Sequence, residues 1–406
     1  MKDSLPPHTY RFFASCPGYL ESLLVEEIGR IAGSSLGYLG ETSGGVYFDG
    51  GLEAAYRTCL WSRLASRVYY ELASQWIEDK DGLYELAREV SFETFFDVAQ
   101  TFSVSAHSAH HAFRHSNLAS LVVKDAVADR FRAVVGERPS VDPKQADVGI
   151  YVHVTKRKAS VYLDLCGESL HRRGYREQST EAPLRENTAA AVLIRAGWPD
   201  AVDRWSAGDA PLPFLADPMC GSGTLAIEAA LMATDTAPGM LRPRFAFEAL
   251  AFHDSQLLLR LQSEARRRRS FAEERWGAAG GRIRASDIDP KAVSATRRNA
   301  AAAGVDGILQ VSQSDFLRLS RGAILGELNK DYDSSADMPY FIVTNPPYGR
   351  RMTGESTGSD AELYERLGHR LSQHFLGFRA AVLAESKGQA QRLGLRAERV
   401  NTLYNG

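Results

Sequence analysis

Apolar residues recur along this chain at two spacings. Between Tyr19 and Ile31, Leu20, Leu23, Leu24 and Ile28 repeat at helical intervals. Between Asn117 and Val135, Leu118, Leu121, Val122, Val127 and Phe131 do the same, so both stretches predict helices with one buried face. His8–Cys16, Gly44–Gly50, Val68–Ala73 and Thr101–Ala106 are instead β-rich runs, the first two of them bounded by turn formers, which predicts strands. Val148–Val154 and Ala159–Leu165 predict a hairpin across Thr155-Lys156-Arg157-Lys158, and a further helix starts at Leu52. The front of the chain, to about residue 165, therefore reads as α+β.

Beyond it, Pro213-Phe214-Leu215-Ala216, Arg282–Asp287, Phe341-Ile342-Val343-Thr344 and Arg379–Ala384 are short strand candidates with helical stretches between them. That alternation predicts an α/β fold with a doubly wound sheet. The first of these strands runs into Asp217-Pro218-Met219-Cys220-Gly221-Ser222-Gly223-Thr224, which leads into the helical run Leu225–Met232. A strand, a tight glycine turn and a helix N-terminus make a ligand-cradling corner, because glycine permits backbone angles and approaches that a Cβ blocks. By itself the loop fits a dinucleotide, an adenosyl cofactor or a plain tight turn. The third strand runs into Asn345-Pro346-Pro347-Tyr348-Gly349. Two prolines without N–H groups stiffen the strand exit and aim their carbonyls outward. The tetrapeptide Asn-Pro-Pro-Tyr resembles the catalytic motif of class I S-adenosylmethionine-dependent methyltransferases that act on exocyclic or amide nitrogen.

Composition narrows the picture further. At 406 residues, two or three domains are expected, and 44% hydrophobic with 24% charged residues is the balance of a globular protein. No apolar run reaches membrane-span length, and the first residues carry no signal-peptide core, so a cytoplasmic protein is expected. The 4 cysteines (Cys16, Cys59, Cys166, Cys220) form no Cys-x-x-Cys pair, so no metal site is expected. Net charge is −2, and any nucleic-acid contact must come from local basic patches. The hairpin turn offers Lys156, Arg157 and Lys158, joined by Arg114, His115, Lys124, Arg130, Arg132, Arg138 and Lys144.

Gly167-Glu168-Ser169-Leu170-His171-Arg172-Arg173-Gly174-Tyr175-Arg176 and Ala182-Pro183-Leu184-Arg185-Glu186-Asn187 then precede the glycine loop. This order of a ferredoxin-like unit, a THUMP module, these two motifs and a methyltransferase resembles the THUMP-containing RNA guanine-N2 methyltransferases, most of all the bacterial large-subunit rRNA enzymes. The resemblance implies a ferredoxin-like unit over 1–58, a THUMP RNA-binding domain over 59–166 and a linker over 167–182. A Rossmann-like class I methyltransferase domain follows over 183–406, with an insertion over 237–276 that includes His253-Asp254 and the run Arg266–Arg269. It implies S-adenosylmethionine as cofactor, held by Asp217, Cys220, Gly221, Ser222, Gly223, Thr224, Asp287, Ile288, Asp315, Phe316 and Asn345. RNA contacts are expected from Lys156, Arg157, Lys158, Arg172 and Arg173, and the partner is expected to be large-subunit rRNA, with a monomer favoured.

Roles follow from the chemistry. Pro290 suits a first helical turn and Asp289 its N-cap, leaving Asp287 to accept the two ribose hydroxyls. Asp315 can accept from the adenine amine, with Phe316 packed nearby. Guanine N2 is a poor nucleophile, so Asn345 and the Pro346 carbonyl are expected to accept its two hydrogens and align its lone pair, while Tyr348 offers a π-face to the extruded base. A tRNA methyltransferase of the same architecture and a non-catalytic ribosome-assembly factor are the alternatives. Val400–Tyr404 is expected as a sixth strand before the turn signal Asn405-Gly406, where relatives continue into a further apolar strand. Residues beyond about 398 are thus expected to be poorly ordered or paired abnormally, and either the native chain to be longer or this form to be compromised.

Overall fold

A computed structural model describes residues 9–110, 113, 116–177, 183–279, 282–326, 339–347 and 360–405. The chain divides into two compact units, Met1–Leu170 with Arg242–Ser263, and His171–Leu241 with Glu264–Gly406.

The first unit is built on β1 (Tyr10–Ser15), α1 (Glu21–Ala32), β2 (Leu36–Thr42), β3 (Gly45–Gly50), α2 (Leu52–Trp61), β4 (Arg67–Trp76), α3 (Lys80–Glu89), β5 (Phe102–Ser108), α4 (Ser116–Val135), β6 (Val148–Val154) and β7 (Lys158–Asp164). Its strands form one seven-stranded sheet in the order β2-β3-β1-β4-β7-β6-β5. The regions expected as separate ferredoxin-like and THUMP domains thus share a sheet, joined where β1 pairs β4 and β4 pairs β7, both antiparallel. Alternation sorts the two faces. Phe12, Phe48, Val152 and Val161 are buried on one, while Phe13, Tyr69 and Tyr162 cluster on the other with Tyr47 and Tyr151 against them.

The insertion is not one appendage. Residues 242–263 fold with the first unit, where the Phe247 ring stacks on Tyr56 at 4.1 Å. The Tyr56 hydroxyl lies 3.0 Å from His253 Nδ1 and accepts the Asp254 N–H at 3.2 Å. The His-Asp pair therefore locks packing around Tyr56. Downstream, Arg268 pairs with Asp235 at 2.7 Å and Arg269 with Glu273 at 2.6 Å, so at least these arginines of the run are engaged within the fold.

The second unit contains α5 (Glu186–Ala196), α6 (Trp198–Ala207), β8 (Phe214–Asp217), α7 (Thr224–Ala233), the later turns of α8 (Ser255–Ala279), β9 (Ile283–Asp287), α9 (Pro290–Ala303), β10 (Leu309–Gln313), α10 (Arg321–Leu325), β11 (Tyr340–Thr344), α11 (Asp360–His374), β12 (Arg379–Val382) and α12 (Lys387–Arg392). Its five strands are parallel, in the order β10-β9-β8-β11-β12. Chain order reverses at β8, whose neighbours β9 and β11 lead to opposite edges, and ligands of open α/β sheets bind at the carboxyl ends of strands at such a switch point. Phe214, Tyr340, Ile342, Phe316 and Phe375 form a core cluster around it. The expected sixth strand does not form. The Tyr404 carbonyl instead accepts from Thr188 Oγ1 at 3.2 Å, and Asn405 Oδ1 accepts the Arg185 N–H at 2.8 Å.

Arg173, expected at RNA, is buried at 1% exposure. Its guanidinium lies 3.3 Å from Glu228, which is fully buried on α7, and the Tyr175 hydroxyl donates to the same carboxylate at 3.4 Å. Removing one partner strands a charge away from water, which costs far more than the pair contributes. Glu228→Ala is expected to destabilise the chain by about 3–5 kcal/mol in urea unfolding. A loss under about 1 kcal/mol would mean that Arg173 finds water or another acceptor.

Candidate active site

β8 ends at Asp217, 2% exposed, and the chain then turns sharply through the glycine loop. Gly221 (φ 55°) and Gly223 (φ 87°) take left-handed backbone conformations, and a Cβ on Gly223 would sit 2.7 Å from Thr296 Cγ2. Here glycine is required by both angle and space. The loop is hung from its neighbours. Cys220 N–H donates to the Ser286 carbonyl at 2.9 Å, and Gly221 N–H donates to Asp287 Oδ2 at 2.9 Å. From α9, Thr296 donates to the Gly221 carbonyl at 2.8 Å and Asn299 to the Ser222 carbonyl at 2.9 Å.

Sequence reasoning missed Arg176. Its guanidinium donates to Ser222 Oγ at 3.1 Å, Thr224 Oγ1 at 3.0 Å and the Leu184 carbonyl at 3.0 Å, and pairs with Glu186 at 2.9 Å. One side chain thus ties the Gly-Tyr-Arg stretch to the glycine loop and to the start of α5. No spacing rule announces it, because the contact joins segments that are remote in sequence.

Asp217, Cys220, Gly221, Ser222 and Thr224 line a cleft together with Pro183, Leu184 and Asn345. β11 delivers Asn345 there, half-buried at the strand exit, followed by buried Pro346 and half-buried Pro347. Tyr348 lies outside the described residues. Asp217 Oδ1 has no hydrogen-bond partner, and burial, reinforced by the Asp287 charge, pushes the carboxyl up to about 8.

Other expected cofactor residues fare unevenly. Asp289 caps α9 through the Lys291 N–H at 2.8 Å, as expected. Asp287 is less free than expected. Its Oδ2 holds the loop and its Oδ1 accepts the Asp289 N–H at 3.0 Å, which leaves one lone pair on each oxygen. Burial raises its pKa as well. Ile288 is 66% exposed, an apolar face at a strand end. Asp315 accepts the Leu317 N–H at 3.0 Å and pairs with Arg318 at 3.2 Å. Phe316, expected beside adenine, is instead core, 2% exposed and stacked on Phe375 at 5.4 Å. Of the expected RNA residues, Lys156, Arg157, Lys158 and Arg172 are exposed. Among the described residues no cluster of His, Cys, Asp and Glu could hold a metal, and no helix is long and apolar enough to cross a membrane.

Residues 173–406 match the RMKL-like methyltransferase domain. The chain belongs to that family. Ahead of this methyltransferase domain, residues 78–164 match the THUMP domain and residues 11–69 the RlmL ferredoxin-like domain. The ribosomal RNA large subunit methyltransferase K/L of Allochromatium vinosum is 40% identical over 397 residues, 97% of this chain and 50% of that protein. The protein of the same name from Syntrophotalea carbinolica is 41% identical over 396 residues, 98% of this chain and 52% of that protein. The chain thus spans about half the length of the curated relatives it matches. The solved structure of SMU.472 complexed with SAH shares the fold with a TM-score of 0.75 at 24% identity, over 98% of this chain and 95% of that one.

Two outcomes are expected at the RMKL-like cleft. The folded-state pKa of Asp217 lies above its ordinary value of 3.8, so its contribution to stability is fully present below 3.8 and is lost as pH rises through about 8. Asp217→Asn removes the titration, and urea unfolding across that window should show a flatter pH dependence for the variant; identical slopes would place a neutralising partner at the carboxyl. Arg176→Ala should weaken cofactor binding roughly 10-fold in calorimetry, with Arg176→Lys in between, because the hydrogen bonds that fix the loop are lost. Unchanged affinity would show that α9 holds the loop alone.

Proposed function

We propose that this chain transfers a methyl group from S-adenosylmethionine to the exocyclic N2 of a guanine in RNA, with large-subunit rRNA as substrate, in the cytoplasm. The observation that carries this reading is that Asp217, the glycine loop and Asn345 share one cleft at the switch point of a parallel sheet. The names of the relatives point to ribosomal RNA of the large subunit, and the SAH in a structure of the same fold points to the cofactor.

The residues fit that cofactor. The buried, unpartnered Asp217 oxygen suits an ammonium group, the remaining lone pairs of Asp287 suit a ribose diol, and the exposed Ile288 side chain suits the face of an adenine. When bound, the cofactor supplies an electrophilic sulfonium methyl. The chain supplies alignment. Asn345 Oδ1 and the Pro346 carbonyl accept the two N2 hydrogens, which turns the nitrogen lone pair toward the cleft. Neither acceptor is a strong base. None is required, because the proton leaves to water after the nitrogen has gained its methyl. The Pro346-Pro347 pair fixes φ at the strand exit and holds that carbonyl in place. The π-face expected of Tyr348 belongs to the same reading.

Methyl transfer to purified rRNA and to tRNA, followed by nucleoside analysis, tests this. N2-methylguanosine in rRNA is the expected product. The same product in tRNA alone would change the substrate, and failure to bind S-adenosylmethionine would favour an assembly factor. Asn345→Ala should lower turnover roughly 100-fold while leaving cofactor affinity near the parent value. Parent-level turnover in that variant would remove Asn345 from the reaction.

A further inference from the structure

β4 outruns its neighbour. Its pairing with β1 ends at Tyr70, whereas its pairing with β7 continues to the couple Trp76 and Lys158. The last rungs of β4 therefore project beyond β1, beside the β6–β7 turn. The Ile77 N–H donates to the Arg157 carbonyl at 2.9 Å, which fixes the turn against the strand end. At this tip Trp76 is 70% exposed. Three other tryptophans, Trp61, Trp198 and Trp276, are buried, and Trp205 is half-buried under the Arg275 guanidinium at 4.8 Å.

Residues directly opposite on antiparallel strands share a face. Trp76 and Lys158 do so, and two rungs inward, on the same face, Ser74 and Ser160 meet through their hydroxyls at 2.6 Å. His153 pairs with Ser160 from β6, with the His107 ring 5.8 Å away. The face beside the indole is therefore polar, and the turn adds Lys156 and Arg157. None of the three turn cations is ion-paired with a described residue. That separates them from three of the other basic candidates, since Lys124 pairs with Asp125, Arg130 with Glu93 and Arg132 with Asp129. Lys158 does feel the Glu71 charge, but no carboxylate is in contact with it. A flat ring in water beside three cations without ion pairs matches the chemistry of a single-stranded polynucleotide, whose bases have free faces and whose phosphates carry charge.

We infer that Trp76 is a stacking platform for an unpaired RNA base, with Lys156, Arg157 and Lys158 holding the flanking phosphates. The inference rests on the RNA reading above and names the surface that serves it. A duplex offers no base face to such a ring, so single strands or loops are the occupants.

Titration of the full chain with a single-stranded oligouridylate, followed by tryptophan fluorescence and by calorimetry, tests it. Stacking on Trp76 should quench emission, and Trp76→Leu should abolish the quench. Trp76→Ala should weaken binding roughly 5- to 150-fold without changing the salt dependence. Trp76→Phe should keep an intermediate affinity. Charge reversal of Lys156, Arg157 and Lys158 should lower the slope of log affinity against log salt by about two units. A parent-like affinity in Trp76→Ala would overturn the inference while leaving the RNA reading intact. Equal affinity for the matching duplex would also overturn it. If the parent chain neither bound nor methylated any RNA, the functional reading would fall first and this one with it.

Discussion

The carboxylate of Asp287 joins two strand ends, taking the Gly221 N–H with one oxygen and the Asp289 N–H with the other. Much of the second unit's site depends on that bridge. It holds the glycine loop flat against the end of β9, which lets α9 reach the loop carbonyls and brings Gly223 close enough to Thr296 that no Cβ fits. Arg176 ties the loop through its Ser222 and Thr224 hydroxyls. The same burial that makes these hydrogen bonds strong raises the pKa of both Asp217 and Asp287, and a neighbouring carboxylate adds to each, Asp287 to Asp217 and Asp289 to Asp287. A cationic or hydroxyl-rich ligand relieves that tension. An anionic one does not.

The strands that carry the site were legible because short apolar runs ending in Asp217, Asp287 and Asn345 leave little freedom for any other reading. The hairpin with its basic turn was legible for the same reason. β2 was not, since Gly37 and Gly40 interrupt Leu36–Thr42 and the strand is half-exposed, so no alternation survives. α3 escaped notice although Asp79 caps it through the Asp81 and Gly82 N–H groups, a start signal with only Leu83, Leu86 and Ala87 buried behind it. Arg173 was misread because a basic residue is assumed to seek water. The clue lay elsewhere, in Glu228, a lone carboxylate inside the apolar run of α7 that needs a buried partner. Phe316 was misread as a ligand contact because a strand-end aromatic looks available until the ring of Phe375 is placed against it.

Charge alone proved a poor guide to polynucleotide surfaces. The four-arginine run looks like a phosphate tract, yet Arg268 and Arg269 are engaged by carboxylates of their own unit. The three residues of the β6–β7 turn are fewer, yet none forms an ion pair with a described residue, although Lys158 is close enough to Glu71 for the two charges to interact. What distinguishes the two is the geometry that decides whether a cation finds a partner inside the fold.

The shared sheet of the first unit has a consequence for the order of events during synthesis. β4 needs β1 on one side and β7 on the other, so the sheet cannot close until Lys158–Asp164 has been made. Even then Tyr56 lacks its stacking partner, because Phe247 and His253 come after β8 and α7 of the other unit. Long-range pairing of this kind is slow and leaves strand edges open while the chain grows. The first unit to emerge therefore cannot finish packing when its last strand is made, and the nascent protein must carry it unfinished until the chain has passed Ser263.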